Sequence, residues 1–353
     1  KLRVNGHLNI FKITLIRLCT PLTVLLSGAT HSEETLSLLT WEAYVSPKVI
    51  EAFEAQTGIR VETNFFSNDP QRSLLISTYP EAYDLTLLDK SDLVHYQNLK
   101  WIAPMNLDLI PNRKHLDTQW FDAQQLGLAY TWGTTGIAYR ADKLETAPDK
   151  WADLLNPSLA LRGKLLMINE AEEIFIAALK YMGLRMQELS MQTLDLAYDI
   201  LSTQRPNARY NIEPLNQHNG FVTGEILAGM AYNGDAAYLK KYYNDNIHYV
   251  LPIEGCILWA DYWVVLAKSP NRRNAHLFLD FINTPKYARD NAQFISNATT
   301  NKAAYQLLSD KEKNNTIIYP PKETLENCEF ISINDSAISR ELNHLFFMLS
   351  GSQ

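Results

Sequence analysis

Thr35-Leu-Ser-Leu-Leu-Thr40 runs into Trp41-Glu42-Ala-Tyr44-Val and then Ser46-Pro47; after Gly58 comes a second run, Ile59-Arg-Val-Glu-Thr-Asn-Phe-Phe66. Thr35–Thr40 has the composition of a short apolar strand. Ser46 is suited to cap a helix and Pro47 to its first position. Val49, Ile50 and Phe53 recur on one helical face. Gly58 can take the left-handed conformation that closes a helix. Ile59 to Phe66 is the next strand. The unit is therefore β-α-β, whose two strands run parallel. Ligands of such sheets bind beyond the carboxyl ends of the strands, and Trp41–Tyr44 occupies such an end.

Outward from this unit the alternation continues. Ser73 to Thr78 reads as a short helix. Ala82-Tyr-Asp-Leu-Thr-Leu-Leu88 reads as a buried strand that delivers Asp89 and Ser91 to a second strand end. Gly127-Leu-Ala-Tyr-Thr-Trp-Gly133 and Thr134-Thr-Gly136-Ile-Ala-Tyr139 are Gly-flanked and suit a crossing from one lobe to another. Beyond them lie a helix at Asp149–Leu155 and a strand at Gly163–Ile168. Asn169-Glu170-Ala-Glu172-Glu173 starts a helix reaching about Met182, and Met186–Ser202 is another. Ala231-Tyr232-Asn-Gly-Asp235 is a strand-to-helix turn, and His248–Leu251 is a strand. A strand at Tyr262–Ala267 and helices at Asn271–Asn283 and Pro285–Phe294 lead to a mostly helical tail, Ala303–Ser350. The class is α/β with a mainly parallel sheet in each lobe, and 353 residues suffice for two lobes.

Residues 1–29 differ from the rest. They carry Lys1, Arg3, Lys12 and Arg17 and no acid; an apolar run from Leu18 to Leu26 precedes Ser27-Gly-Ala29. This is the pattern of a secretory signal peptide, with a membrane-tethered N-terminus as the alternative. Cleavage after residue 29 lowers Lys plus Arg from 32 to 28 against 39 acids, a net charge of −11. Such a chain lacks the basic surface that binds nucleic acid. Cys256 and Cys328 remain. An exported pair can form a disulfide, but the sequence does not say whether these two come close enough. There is no Cys/His set of zinc spacing, no Gly-rich phosphate loop and no GxSxG elbow, so no metal, cofactor or catalytic nucleophile is expected.

Glu254-Gly-Cys-Ile-Leu-Trp259-Ala-Asp261-Tyr-Trp263 places an indole two residues before a carboxylate. On an extended segment both face one side, which suits an organic ammonium ligand. A buried Trp followed by a capping Asp fits the same letters. Glu170 and Glu173 likewise fall in the first turn of a helix, where acids complement the dipole.

Trp41-Glu-Ala-Tyr44-Val, Ala82-Tyr-Asp-Leu, Tyr130-Thr-Trp-Gly-Thr-Thr-Gly136-Ile, Trp151-Ala-Asp-Leu, Glu170-Ala-Glu-Glu173, Tyr232-Asn-Gly234 and Glu254-Gly-x-Ile-x-Trp-x-Asp261 are each short. In this order and spacing the chain resembles the spermidine/putrescine (polyamine)-binding members of the bacterial extracellular solute-binding proteins. The resemblance implies a two-lobed periplasmic-binding-protein (Venus flytrap) fold that closes on a linear polyamine. The lobes would be discontinuous, 35–135 with 262–298 and 136–261 with 299–353. It implies an aromatic box of Trp41, Tyr44, Tyr232 and Trp259, with Asp261, Glu173 and Glu170 pairing with amines. Glu42, Asp89 and Ser91 are further ligand-binding candidates at the first-lobe strand ends. Ser91 stands where the family has a site tyrosine, Asp89 where it commonly has a hydroxyl, and Asn297 or a neighbour where it has another tyrosine. The amide that the family uses near Phe330–Ser332 has no counterpart. The expected protein is a periplasmic monomer that delivers a polyamine such as spermidine, norspermidine or putrescine to the membrane permease of an ABC importer. The alternative is a sensor subunit that reports polyamine to the periplasmic domain of a membrane signalling protein, without transport. A secreted enzyme would need a nucleophile with a base or a metal set.

Overall fold

The computed structural model describes residues 34–351 except Ala123, Ser332 and Asn334; residues 1–29, the expected signal peptide, lie outside the described residues. One mixed sheet runs through the described chain. Its strands are β1 (Thr35–Thr40), β2 (Arg60–Phe65), β3 (Leu85–Asp89), β4 (Ile102–Ala103), β5 (Gly127–Arg140), β6 (Leu165–Met167), β7 (Ala208–Tyr210), β8 (Ala228–Tyr232), β9 (Ile247–Val250), β10 (Ile257–Leu266), β11 (Ala298–Thr299) and β12 (Glu329–Phe330). The main order is β2-β1-β3-β10-β5-β8-β6-β7. β1 lies parallel to β2 and β3, and β6 lies parallel to β7 and β8, as the β-α-β pattern requires. The two long central strands depart from that pattern. β10 is antiparallel to β3 and β5, and β5 is antiparallel to β8 and β9.

Those two strands join two packed halves. Leu128 of β5 and Trp263 of β10 belong to a core with Leu36, Leu38, Leu85, Leu87, Phe53 and Phe278. Ile137 of β5 and Ile257 of β10 belong to another core, with Met230, Phe175, Leu201 and Leu342. Each half is covered on both faces. In the first, Leu36 and Leu38 face helices Pro47–Thr57 and Arg272–Ile282, whereas Leu39 packs with Leu93 and Tyr96 of helix Asp92–Asn98. In the second, Met230 faces helices Ala171–Tyr181 and Met191–Gln204, while Ala231 packs with Ala236 and Leu239 of helix Asn233–Tyr242. Both halves are thus α/β layers. Their shared strands contain the Gly127–Tyr139 and Trp259–Asp261 stretches.

Local chemistry fixes the strand ends. Helix Pro47–Thr57 ends at Gly58, whose φ is +72° and whose amide donates to the Glu54 carbonyl at 2.8 Å. Ser46 stands at the N-cap, but its side chain makes no capping bond; its own amide donates instead to Asn291 Oδ1 at 2.9 Å. Asp84 is buried. It accepts from the Ser37 amide (2.8 Å), Ser269 Oγ (2.6 Å) and both the amide and Nδ2 of Asn271 (3.1 and 3.3 Å), so the Ala82-Tyr-Asp-Leu motif is a structural tie between β1 and the start of helix Arg272–Ile282. Cys256 and Cys328 form a disulfide that fastens β12 beside β10. The expected continuous helix at Met186–Ser202 is a 3₁₀ turn at Met186–Glu188 and then Met191–Gln204, recapped by Ser190, which accepts from the Thr193 amide at 3.3 Å.

Candidate functional site

The turn after β1 presents Trp41 and Tyr44, both half-buried. The Trp41 ring lies 4.4 Å from the Phe66 ring. Tyr130 of β5 holds Tyr44: its hydroxyl donates to the Tyr44 carbonyl at 2.8 Å, and the rings meet edge-on at 6.0 Å. The Tyr44 hydroxyl donates in turn to Asp261 Oδ2. Asp261 is not a cap on a separate strand. It sits within β10, which extends from Ile257 rather than starting at Tyr262, directly opposite Asp89 of β3.

Two residues earlier on the same strand, Trp259 pairs with Gly133 of β5. A side chain at Gly133 has no room: a Cβ there would lie 2.2 Å from Trp259 Cζ2 and 2.3 Å from Asn233 Oδ1. The indole therefore packs against the bare strand at Gly133 and meets the Tyr232 ring edge-on at 6.1 Å. Its Nε1, buried, has no hydrogen-bond partner among the described residues. Glu173, in the first turn of helix Ala171–Tyr181, is only 8% exposed, and its Oε2 also lacks a partner. The Thr135 and Tyr232 hydroxyls lie beside it.

The structure thus brings Trp41, Tyr44, Asp89, Glu170, Glu173, Tyr232, Trp259 and Asp261 to one region where the two halves meet. Two candidates stand apart. Glu42 is exposed in the turn, with no hydrogen bond or ion pair among the described residues. Ser91 is exposed and serves Asp89: its amide and hydroxyl each donate to Asp89 Oδ1 at 2.8 Å. Asn297, which stands where the resemblance places a tyrosine, reaches the site; its Nδ2 donates to the Tyr44 hydroxyl at 3.5 Å and its Oδ1 is buried without a partner among the described residues. Ser332 lies outside the described residues.

Further acids join the set. Asp235 sits three residues after Tyr232 in the first turn of its helix, and its charge acts on both Tyr44 and Tyr232. An acid three residues after Tyr232 on the same strand-to-helix turn is the available sequence signal. Asp69 acts on Glu170, and Asp69 and Asp92 both act on Glu172, a further acid of the cleft. The electrostatics follow from burial of like charges. Burial pushes Asp235 and Asp261 up to about 7. Asp89 and Asp69 add to the rise at Asp261, and the Tyr44 hydrogen bond opposes it. Burial lifts Glu170 and Glu172 to about 7, helped by Asp69 at the first and by Asp92 and Asp89 at the second. Burial also raises Asp89, against the hydrogen bonds from Ser91, and lifts Glu173 well above the usual range, with Glu170 adding to it. Carboxyls that resist ionisation in the empty protein ionise readily beside a cation. With aromatic rings near them, the arrangement suits an elongated multiply charged cation.

Known proteins match this architecture. The chain is 29% identical over 325 residues to the spermidine/putrescine-binding periplasmic protein of Escherichia coli, covering 86% of this chain and 88% of that one. It is also 29% identical over 296 residues to the norspermidine sensor of Vibrio cholerae, covering 82% and 81%. Among solved structures, the spermidine/putrescine ABC transporter substrate-binding protein PotD of Streptococcus pneumoniae shares the fold, with a TM-score of 0.77 at 23% identity over 90% of this chain and 98% of that one. The family model for bacterial extracellular solute-binding proteins matches residues 48–320, and the chain belongs to that family.

Proposed function

We propose that this protein is an exported receptor for a linear polyamine of the spermidine, norspermidine or putrescine kind, and that it delivers the ligand to an ABC importer. One observation carries the reading. Carboxyls from both halves, Asp89 of the first and Glu173, Glu170 and Asp235 of the second, converge with Asp261 at the crossing between them around aromatic rings, and protein cations leave most of them unpaired. Ammonium groups supply the missing charge, and the methylenes between them lie against Trp41, Tyr44, Tyr232 and Trp259. Each charge-assisted contact is worth about 1.5–3 kcal/mol and each cation–π contact about 0.5–2 kcal/mol. The names of the relatives from Escherichia coli and Vibrio cholerae support this ligand class.

The lobes in this proposal are 35–135 with 262–298 and 136–261 with 299–353. Ala298–Thr299 pairs with β5 and Asn301 bridges to Leu116, so the chain is held against the first lobe close to this last crossing. A ligand that touches both lobes favours their closed arrangement. Residues 1–29 act as a signal peptide that sends the protein to the periplasm as a monomer. A second reading, a sensor subunit without transport, draws on the equal identity to the norspermidine sensor. Calorimetry of the protein from residue 30 onward, against putrescine, spermidine, norspermidine and spermine, tests the ligand class. Absence of heat with all four would end it. Co-purification with a permease rather than a membrane signalling protein separates the two outputs.

A further inference from the structure

Arg72 is a cation that the polyamine site does not explain. Its side chain is 3% exposed. Nη1 donates to Asp69 Oδ1 and Nη2 to Asp92 Oδ2, each at 2.7 Å, and Nε donates to the Tyr96 hydroxyl at 3.2 Å. Its Cζ lies 5.4 Å from the centroids of both the Phe66 and the Tyr96 rings. Two carboxylates and two aromatic rings are what an ammonium group needs. Here the protein's own guanidinium fills the place.

This cage adjoins the cleft. Phe66 contacts Arg72 and also packs on Trp41, with rings 4.4 Å apart. The Arg72 charge acts on the Glu170 and Asp261 carboxyls. Glu170 and Glu172 of the other half feel Asp69, so carboxyls from both halves surround this end. Arg72 and Asp69 stand three apart on helix Asp69–Thr78, and Asp92 starts the facing helix, so the same bonds also tie the two helices together.

We propose that Arg72 is a tethered occupant of a cation cage at one end of the cleft, and that it limits how many ammonium groups a bound polyamine can place there. The inference rests on the polyamine reading above. With Arg72 in place, a further ammonium meets a like charge. Without it, two carboxylates and two rings face the cleft unfilled.

The test is calorimetry with spermidine and spermine on the wild type, Arg72→Gln, Arg72→Lys, and Arg72→Gln combined with Asp69→Asn and Asp92→Asn. In the wild type, spermine binds no more tightly than spermidine. Arg72→Gln raises the spermine-to-spermidine affinity ratio about tenfold, the factor expected of one charge-assisted hydrogen bond. Arg72→Lys keeps the wild-type ratio, and the triple variant loses the gain. A helix tie alone would change the melting temperature and weaken both ligands by the same factor. An unchanged ratio in Arg72→Gln overturns the proposal, and so does a gain that survives in the triple variant. Spermine bound about tenfold more tightly than spermidine by the wild type also overturns it, and that measurement needs no variant to fold. Wild-type protein that binds neither ligand refutes the polyamine reading itself.

Discussion

Asp261→Asn separates a ligand contact from a structural one because its two effects have opposite sign. The amide keeps the side chain's volume and an oxygen for the Tyr44 hydroxyl, and it removes only the charge. If an ammonium group pairs with Asp261, the loss is one charge-assisted contact of about 1.5–3 kcal/mol, or roughly ten- to a hundredfold in Kd. In the empty protein the change is favourable. Asp261 faces Asp89 directly on neighbouring antiparallel strands, and like charges so placed cost about 0.2–1 kcal/mol. The variant therefore binds spermidine far more weakly, yet without ligand it melts no lower than wild type at about pH 8, above the value of about 7 to which burial pushes Asp261. Titration calorimetry gives the first quantity and calorimetric unfolding the second. An affinity within about threefold of wild type, together with an empty variant that melts several degrees lower, would refute the reasoning: Asp261 would then hold the fold and not the ligand.

Acidity acts through the same groups. Asp92 at about 6 and Glu170, Glu172, Asp235 and Asp261 at about 7 lie above the ordinary carboxyl range, so the folded protein holds more protons than the unfolded chain between about pH 4 and 7. The stability of the empty protein therefore falls as pH rises through that window; polyamine affinity, which requires those protons to leave, rises from about pH 6 to pH 8 and shows net proton release in buffers of different ionisation heat. Gly133→Ala pushes a methyl group into the Trp259 indole and Asn233. It is expected to cost about 1–3 kcal/mol of stability and to weaken spermidine binding at least about tenfold, with a shifted tryptophan emission. Asp84→Ala strips the acceptor from the Ser37, Ser269 and Asn271 donors, and denaturant unfolding is expected to show a loss of about 3 kcal/mol or more, with affinity unchanged in the folded fraction.

What the sequence showed was local. Pro47 and Gly58 bound a helix within one element, so the opening β-α-β unit was legible. The Ser46 cap was half legible: the position is right, but the bond depends on Asn291, which lies 245 residues away. From sequence the last strand starts at Tyr262, and Trp259–Asp261 fits either an extended segment or a buried Trp followed by a capping Asp. The pairing of β10 with β3 and β5 keeps it one strand. The antiparallel course of β5 and β10 has no local signal, since it depends on which distant strands flank them. The same division runs through the site. Trp41, Tyr44, Tyr232, Trp259 and Asp261 belong to motifs. Asp235, Asp69 and Asp92 reach the cleft through the packing of helix starts, and the Cys256–Cys328 bond spans 72 residues of sequence. Ser91 illustrates the reverse, since it lies at a motif position and yet spends its hydroxyl on Asp89.

In the polyamine receptor proposed above, the charges of the cleft make binding and closure one event. Asp89, Asp92, Glu170, Glu172, Glu173, Asp235 and Asp261 are all raised, chiefly by burial and, at most of them, also by neighbouring carboxylates, and Arg72 with its two ion pairs balances only one end. A triamine carries three positive charges, fewer than the acids that face it. The empty state, which has no ammonium groups to face these acids, therefore holds more protons than the bound one. Acids on the two sides repel each other until a cation stands between them, so the ligand contributes most where it touches both. A diamine that reaches only one side gains contacts without relieving that repulsion. Differential contact of this kind is what shifts a two-state equilibrium. It acts identically whether the closed surface meets a permease or a sensor, so the choice between those outputs lies in residues outside the cleft.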